Sequence, residues 1–162
     1  MAMKFTGDFY QIGVVVRDID AGMAHYRNLL GLGPFWRLDT DYEGRYRDWS
    51  GRFANRNAFT KWGDVYLEMI EPVVGHGNAR EWLEMRGEGI FHLGYAVDDL
   101  SQRPDGVECV FESWGARMPN GDPAVIHLDT VEQLGYYVEL SDRALVTRLN
   151  ATIDQFMAQQ MV

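Results

Sequence analysis

The chain is written twice. Phe9-Tyr10-Gln11-Ile12-Gly13-Val14-Val15-Val16-Arg17-Asp18-Ile19 lies on Ile90-Phe91-His92-Leu93-Gly94-Tyr95-Ala96-Val97-Asp98-Asp99-Leu100 with apolar, Gly and Asp positions in step, at an offset of 81 residues. Val65 to Glu71 lies on Tyr136 to Asp142 in the same way at an offset of 71, so the second copy has the shorter middle. A repeat constrains a fold more than local propensity does, because the copies are like supersecondary units that must pack against one another. The reading is one domain over 1–142, made of two modules at 9–72 and 90–142 with a linker at 73–89, followed by a C-terminal helix in 143–162.

Each copy opens on a β-rich run and then changes period. In the first, Ile19, Met23, Tyr26 and Leu30 recur at helical spacing behind Asp18 or Asp20 as N-cap, and Gly31 supplies a left-handed stop. In the second, Pro104 near the first helical position, the spacing of Val107, Val110, Phe111 and Trp114, and Gly115 as stop predict a matching helix that carries Cys109 as an inert core thiol. β-prone runs follow at Phe35–Asp39, Asn57–Trp62 and Val65–Ile70, and again at Ala116–Met118, Val125–Leu128 and Tyr136–Leu140. The module therefore reads βαβββ and the fold class α+β. Asn78 to Arg86 predict a short bridging helix, and Leu145, Leu149, Ile153 and Phe156 an amphipathic C-terminal one.

Composition removes several function classes. Fifteen Lys and Arg against 24 Asp and Glu leave a formal charge of −9, which repels phosphate backbones, so nucleic acid is not an expected partner. The longest apolar stretches, such as Ile12 to Val16, fall far short of the ~20 residues that cross a bilayer, so no membrane association is expected. Met1 to Asp8 holds a lone Lys4 and no apolar core of a leader, and the single Cys109 excludes an intrachain disulfide. A cytoplasmic protein is the expectation.

Strand parity selects the candidate chemistry. Gln11, Gly13 and Val15 share one face of the first strand, and His92, Gly94 and Ala96 share the matching face of its repeat. Glu68 sits between Leu67 and Met69, and Glu139 between Val138 and Leu140. A carboxylate inside an apolar strand is costly unless it has a partner or a metal. Taken singly, His92 reads as a core histidine and either glutamate as a salt-bridged strand residue; equivalent placement in a duplicated frame favours a site. If a pseudo-twofold relates the modules, Gln11, Glu68, His92 and Glu139 converge, offering an imidazole, an amide oxygen and two carboxylates to a divalent ion. His25 and His76 read as solvated, and His127, one hairpin from Glu139, as a residue of the pocket.

The segments Gln11 to Asp18, His25-Tyr-Arg-Asn-Leu-Leu-Gly-Leu-Gly-Pro34, Tyr66-Leu-Glu-Met-Ile-Glu-Pro72, Gly89 to Asp99 and Gly135-Tyr-Tyr-Val-Glu-Leu140 resemble, in order, the vicinal oxygen chelate superfamily, and most of all its glyoxalase and methylmalonyl-CoA epimerase branch. The resemblance runs from Phe9 to Leu140. It implies a glyoxalase/bleomycin-resistance-type fold, two βαβββ modules forming a cupped mixed sheet around a metal, with Gln11, Glu68, His92 and Glu139 as ligands of one divalent ion, Zn, Ni, Co, Mn or Mg. It further implies an isomerase or lyase acting on a small carbonyl compound or thioester, with Glu139 or Glu68 as the base that removes a proton beside a metal-bound carbonyl by way of an enolate or enediolate. The edges of each cupped sheet, with the stripe of Leu145, Leu149, Ile153 and Phe156 that either folds back on an edge or seals a partner, predict a homodimer. The epimerases place a His where Gln11 stands, whereas one type of glyoxalase I uses Gln there. The extradiol dioxygenase branch wants two histidines and a carboxylate, and His92 is the one matching His. The alternative from another class is a non-catalytic small-molecule binding protein of the same fold, of the antibiotic-resistance kind.

Asp41 to Arg56 is the least family-like stretch, with Tyr42, Tyr46, Trp49 and Phe53 interleaved with Arg45, Arg47, Arg52 and Arg56. It reads as a solvated hairpin loop with aromatic anchors. The sharper reading is a lid in which Arg45, Arg47 and Arg52 hold an anionic group of the substrate. Trp36, Trp62, Met69, Tyr95 and Met118 supply core or pocket wall, so Trp62 and His127 join the arginines as substrate-binding candidates.

Overall fold

The computed structural model describes residues 6–161; Met1–Phe5, including Lys4 of the stretch read as lacking a leader, lie outside them. The repeat determines how the first strands of the modules meet. β1 (Asp8–Val15) and β6 (Gly89–Val97) run antiparallel, with Gln11 opposite Gly94, Ile12 opposite Leu93 and Gly13 opposite His92. Ile12 and Leu93 are themselves separated by the repeat offset, so a pseudo-twofold passes between them and exchanges the two copies. β5 (Val65–Val74) adds in parallel to β1 and sets Glu68 beside Gly13. β9 (Tyr137–Asp142) adds in parallel to β6 and sets Glu139 beside Gly94.

The remaining strands are β2 (Trp36–Arg37), β3 (Thr40–Tyr46), β4 (Trp49–Trp62), β7 (Cys109–Arg117) and β8 (Pro123–Leu128). They complete a nine-stranded sheet of order β2-β4-β3-β7-β8-β9-β6-β1-β5. The long β4 pairs with β3 along its first half and with β5 along its second, so the curved sheet closes into a barrel. Closure removes exposed edges that a sheet of this size would otherwise present.

Helix α1 (Ile19–Leu30) follows the predicted signals: the Asp18 carboxylate accepts from the Ala21 N–H at 2.8 Å, and Gly31 ends it at φ 69°. Ile19, Met23 and Tyr26 pack on Val14, Phe35, Leu67 and Met69, while Leu30 stays exposed. Helix α2 (Asn78–Arg86) bridges the modules, and α3 (Val131–Leu134) is a single turn. Helix α4 (Arg143–Gln160) lies back on the barrel, with Ile153 fully buried against Phe59 and Tyr66. No helix among the described residues is long and apolar enough to cross a membrane.

Two expectations need correction. The helix predicted from Pro104 to Gly115 is absent: turns lead into β7, which Cys109 opens, so Cys109 is a strand residue. The helical spacing of Val107, Val110, Phe111 and Trp114 loses to tertiary demand, because β7 fills the place between β3 and β8 through which the barrel closes. The Asp41–Arg56 stretch is two strands of that same wall, joined by a tight turn in which Arg47 takes φ 51°. Its aromatic residues Tyr42, Tyr46 and Phe53 fall on the inward positions and Arg45 and Arg52 on the outward ones.

Candidate metal centre

Two rows of side chains cross the pseudo-twofold. One runs Glu68, Gly13, His92 across β5, β1 and β6; the other runs Gln11, Gly94, Glu139 across β1, β6 and β9. The glycine in the middle of each row clears the space its neighbours occupy. A Cβ on Gly13 would stand 2.0 Å from the His92 ring, and one on Gly94 3.2 Å from Glu139 Oε1. The sequence pairing of Gly with Gln in one copy and with His in the other thus has a steric cause.

All four residues meet at the His92 ring. Its Nε2 lies 2.9 Å from Gln11 Oε1, 3.4 Å from Glu139 Oε2 and 3.7 Å from Glu68 Oε1. Gln11, His92 and Glu139 are buried, and Glu68 keeps part of its surface open to a cavity. That cavity, of about 490 Å³, is walled by Glu68, Glu139 and His127 together with Phe53, Ile70, Phe91, Phe111 and Val125. Among the described residues lining it, Arg80 carries the cationic side chain, and its guanidinium is tied to the carbonyls of Val73 and Gly75.

The two carboxylates differ in what holds them. Glu139 Oε1 accepts from the Tyr10 hydroxyl at 2.8 Å and from Ser141 Oγ at 3.0 Å, and Oε2 lies 3.0 Å from His127 Nε2. Glu68 makes no hydrogen bond among the described residues. The register supplies the reason, since the residue paired across from Glu139 is His127 and the one paired across from Glu68 is Phe59. Burial raises the pKa of Glu139, but the neighbouring His92 and His127 and the Tyr10 bond outweigh it and hold that carboxyl below its ordinary range. For Glu68, burial and repulsion from Glu139 act together and raise it well above that range. Burial pushes His92 down to about 4, against the pull of Glu139, so its ring is neutral near pH 7.

This donor set fits a divalent ion. At metal–oxygen lengths of about 2.1 Å, neighbouring ligand atoms of an octahedron lie about 3 Å apart, close to the separations around His92 Nε2. One N–H can satisfy only one of the three oxygens facing it. A cation would satisfy Nε2 and all three oxygens together, and would offset two carboxylates that pair with no lysine or arginine among the described residues.

Of the other sequence candidates, His127 lies on the cavity wall. The arginines do not line it: Arg45 pairs with Glu112 at 3.3 Å, Arg47 with Asp129 at 3.4 Å, and Arg52 grips Asp41 through two bonds of 2.8 and 2.7 Å. Trp62 stands edge-on to Tyr26 in the cluster under α1, away from the cavity lining. Sequence reasoning passed over Tyr10, Asn78 and Ser141. Ser141 shares a strand face with Glu139 and was within reach of parity; Tyr10 and Asn78 were not.

A closed barrel built from a duplicated strand set, with a cluster of imidazole, amide and carboxylate donors where the copies meet, defines a paired-module protein of the α+β class. The chain belongs to the Glyoxalase/Bleomycin resistance protein/Dioxygenase superfamily, whose family model matches residues 10–108. It is 30% identical over 92 residues to the uncharacterized protein YqjC of Bacillus subtilis (strain 168), a match that takes in 57% of this chain and 59% of that relative's length. The hypothetical protein BH1468 from Bacillus halodurans C-125 superposes with a TM-score of 0.56 at 20% identity, over 85% of this chain and 95% of its own. A variant of Streptomyces coelicolor methylmalonyl-CoA epimerase in complex with 2-nitronate-propionyl-CoA superposes with a TM-score of 0.55 at 22% identity, over 85% and 97%. At these identities the solved structures share the fold with this chain.

Proposed function

We propose that the protein is a divalent-cation-dependent isomerase or lyase that moves a proton at a carbon next to a carbonyl, in a small carbonyl compound or the acyl end of a thioester. The observation that carries the proposal is the unequal restraint of two equivalent carboxylates on one cavity wall: Glu139 accepts from Tyr10 and Ser141 and meets His127 Nε2 at 3.0 Å, while Glu68 has no hydrogen bond among the described residues. Gln11 Oε1, Glu68, His92 Nε2 and Glu139 Oε2 would hold the ion. Bound there, it would act as a Lewis acid toward a substrate carbonyl oxygen and make the adjacent C–H more acidic.

The chain's own residues do the rest. Glu139 stays in place as an anchored ligand, because leaving it would break bonds to Tyr10, Ser141 and His127. Glu68, with no hydrogen bond among the described residues to hold it, is free to turn into the cavity and takes the proton as general base. Phe53, Ile70, Phe91 and Phe111 exclude water from that exchange. The methylmalonyl-CoA epimerase among the solved neighbours supports a thioester as one substrate to try.

The test is deuterium incorporation next to the carbonyl of candidate substrates in D2O, with metal content measured alongside. Glu68→Gln is expected to keep the ion, through the amide oxygen, and to slow exchange by about 10²–10⁴-fold. Exchange as fast as in the native protein would remove Glu68 from the mechanism. A protein that takes up no cation and binds apolar ligands tightly would instead be a binding protein of the same fold.

A further inference from the structure

His127 stands where a second imidazole ligand would stand. Ligand atoms of His92, His127 and Glu139 all lie within 4.8 Å of one another. Two imidazoles and a carboxylate form the donor set of non-haem iron sites that activate oxygen, whereas one imidazole among oxygens suits a redox-silent Lewis acid. The difference turns on which nitrogen of His127 carries its proton. We infer that Asn78 decides this: by donating to His127 Nδ1 it places the ring proton on Nε2, makes His127 a hydrogen-bond donor to Glu139, and withholds it from the ligand set. The inference rests on reading the cluster as a metal centre.

Asn78 Nδ2 lies 2.7 Å from His127 Nδ1, and His127 Nε2 lies 3.0 Å from Glu139 Oε2. All three side chains are buried. With the amide N–H toward the ring, every atom along this line has a partner of opposite kind, and the Asn78 chain of bonds ends on a carboxylate. With the amide reversed, its oxygen would take the proton at Nδ1 and leave the bare Nε2 lone pair facing a carboxylate oxygen at 3.0 Å, two acceptors against each other in a buried site. Asn78 comes from the first residue of α2, the helix that joins the modules and has no counterpart in the repeat. It therefore acts on one carboxylate and not on its twin. His127 is a positioning residue, working through Glu139.

The experiment loads the protein with Co2+ and counts the paramagnetically shifted, exchangeable imidazole N–H signals by proton NMR, one for each coordinated histidine. One signal is expected from the native protein, from His92. Two are expected from Asn78→Asp, whose carboxylate accepts from His127 Nδ1–H and frees Nε2 for the ion. The preference for Zn2+ over Mn2+ should rise by about tenfold or more in that variant, as an added nitrogen donor favours zinc. His127→Gln, which keeps an N–H toward Glu139, should show one signal and hold Co2+ within about threefold of the native protein, while His127→Ala should weaken it about 10- to 100-fold. Two signals from the native protein, one signal from a folded Asn78→Asp, or equal losses in His127→Gln and His127→Ala would each overturn the inference. Native protein that takes up no Co2+ would refute the metal centre itself, and this inference with it.

Discussion

Glu68 and Glu139 occupy equivalent positions of a repeat, yet their surroundings drive their proton affinities apart, and the proposed cation site would inherit the difference. In the metal-free protein Glu68 holds a proton above the ordinary carboxyl range, because burial and Glu139 both oppose its charge. Folded protein then binds more protons than the unfolded chain above that range, so this group's contribution to stability falls as pH rises through its raised pKa. His92 acts oppositely: depressed from 6.5 to about 4, it binds fewer protons when folded, and its contribution is lost as pH falls from about 6.5 toward 4. A cation bound at the proposed site would displace the Glu68 proton but none from His92, which is neutral already. Calorimetric titration with Mn2+ near pH 6, repeated in buffers of different ionisation enthalpy, should report protons released by the native protein and fewer by Glu68→Gln; equal release would remove Glu68 from the site. At this scale the sequence was informative where symmetry speaks. Gln11, Glu68, His92 and Glu139 could be placed together because two copies and strand parity fix their faces. Tyr10 could not, because a register shift between Phe9 and Gln11 turns Tyr10 and Gln11, adjacent in sequence, both into the interior. Asn78 could not, because it arrives from a linker outside the repeat.

Among the elements, the β3–β4 hairpin is where the arginines of the least family-like stretch are placed. Tyr42-Glu43-Gly44-Arg45-Tyr46 and Trp49-Ser50-Gly51-Arg52-Phe53 alternate with the period of a strand, so the same pattern that interleaves arginines with aromatics sends them to opposite faces. Phe53 joins the interior with Phe111 at 5.6 Å between ring centroids, while each arginine finds a carboxylate on the outside. Exposed ion pairs of this kind contribute little and are screened by salt. Replacing Arg45, Arg47 and Arg52 by Ala together is therefore expected to leave cation affinity and KM within about twofold of native, since none of them reaches the ion's donors or the cavity. A steep rise in KM would restore the lid reading. The missed strand β7 has a related cause. Its apolar residues are spaced as well for a helix as for a bulged strand, and Val110 and Phe111 are buried side by side because a register shift lies between Cys109 and Phe111. Periodicity alone does not separate these cases; the vacancy between β3 and β8 does.

For the whole molecule, barrel closure decides whether one chain is enough. The apolar stripe of Leu145, Leu149, Ile153 and Phe156 reads in sequence as a surface that either folds back on a sheet edge or seals a second copy. In the structure Ile153 is spent on Phe59 and Tyr66, with Leu149 and Met157 packed beside it, and Asp154 accepts from the Tyr66 hydroxyl at 2.8 Å. The other ground for a partner, exposed sheet edges, disappears where β4 pairs with β5. Both halves of the donor set, Gln11 with Glu68 and His92 with Glu139, come from the same chain across the β1–β6 pair. A dimer could still form on other surfaces, but the centre does not need it. Sedimentation of the Mn2+-loaded protein across a dilution series, with metal assayed in each boundary, is expected to give one ion per chain in whatever species is present, including the monomer at the lowest concentration. Loss of the ion in step with dissociation would mean that a second copy completes the site, and that the closed barrel is not the unit that binds the cation.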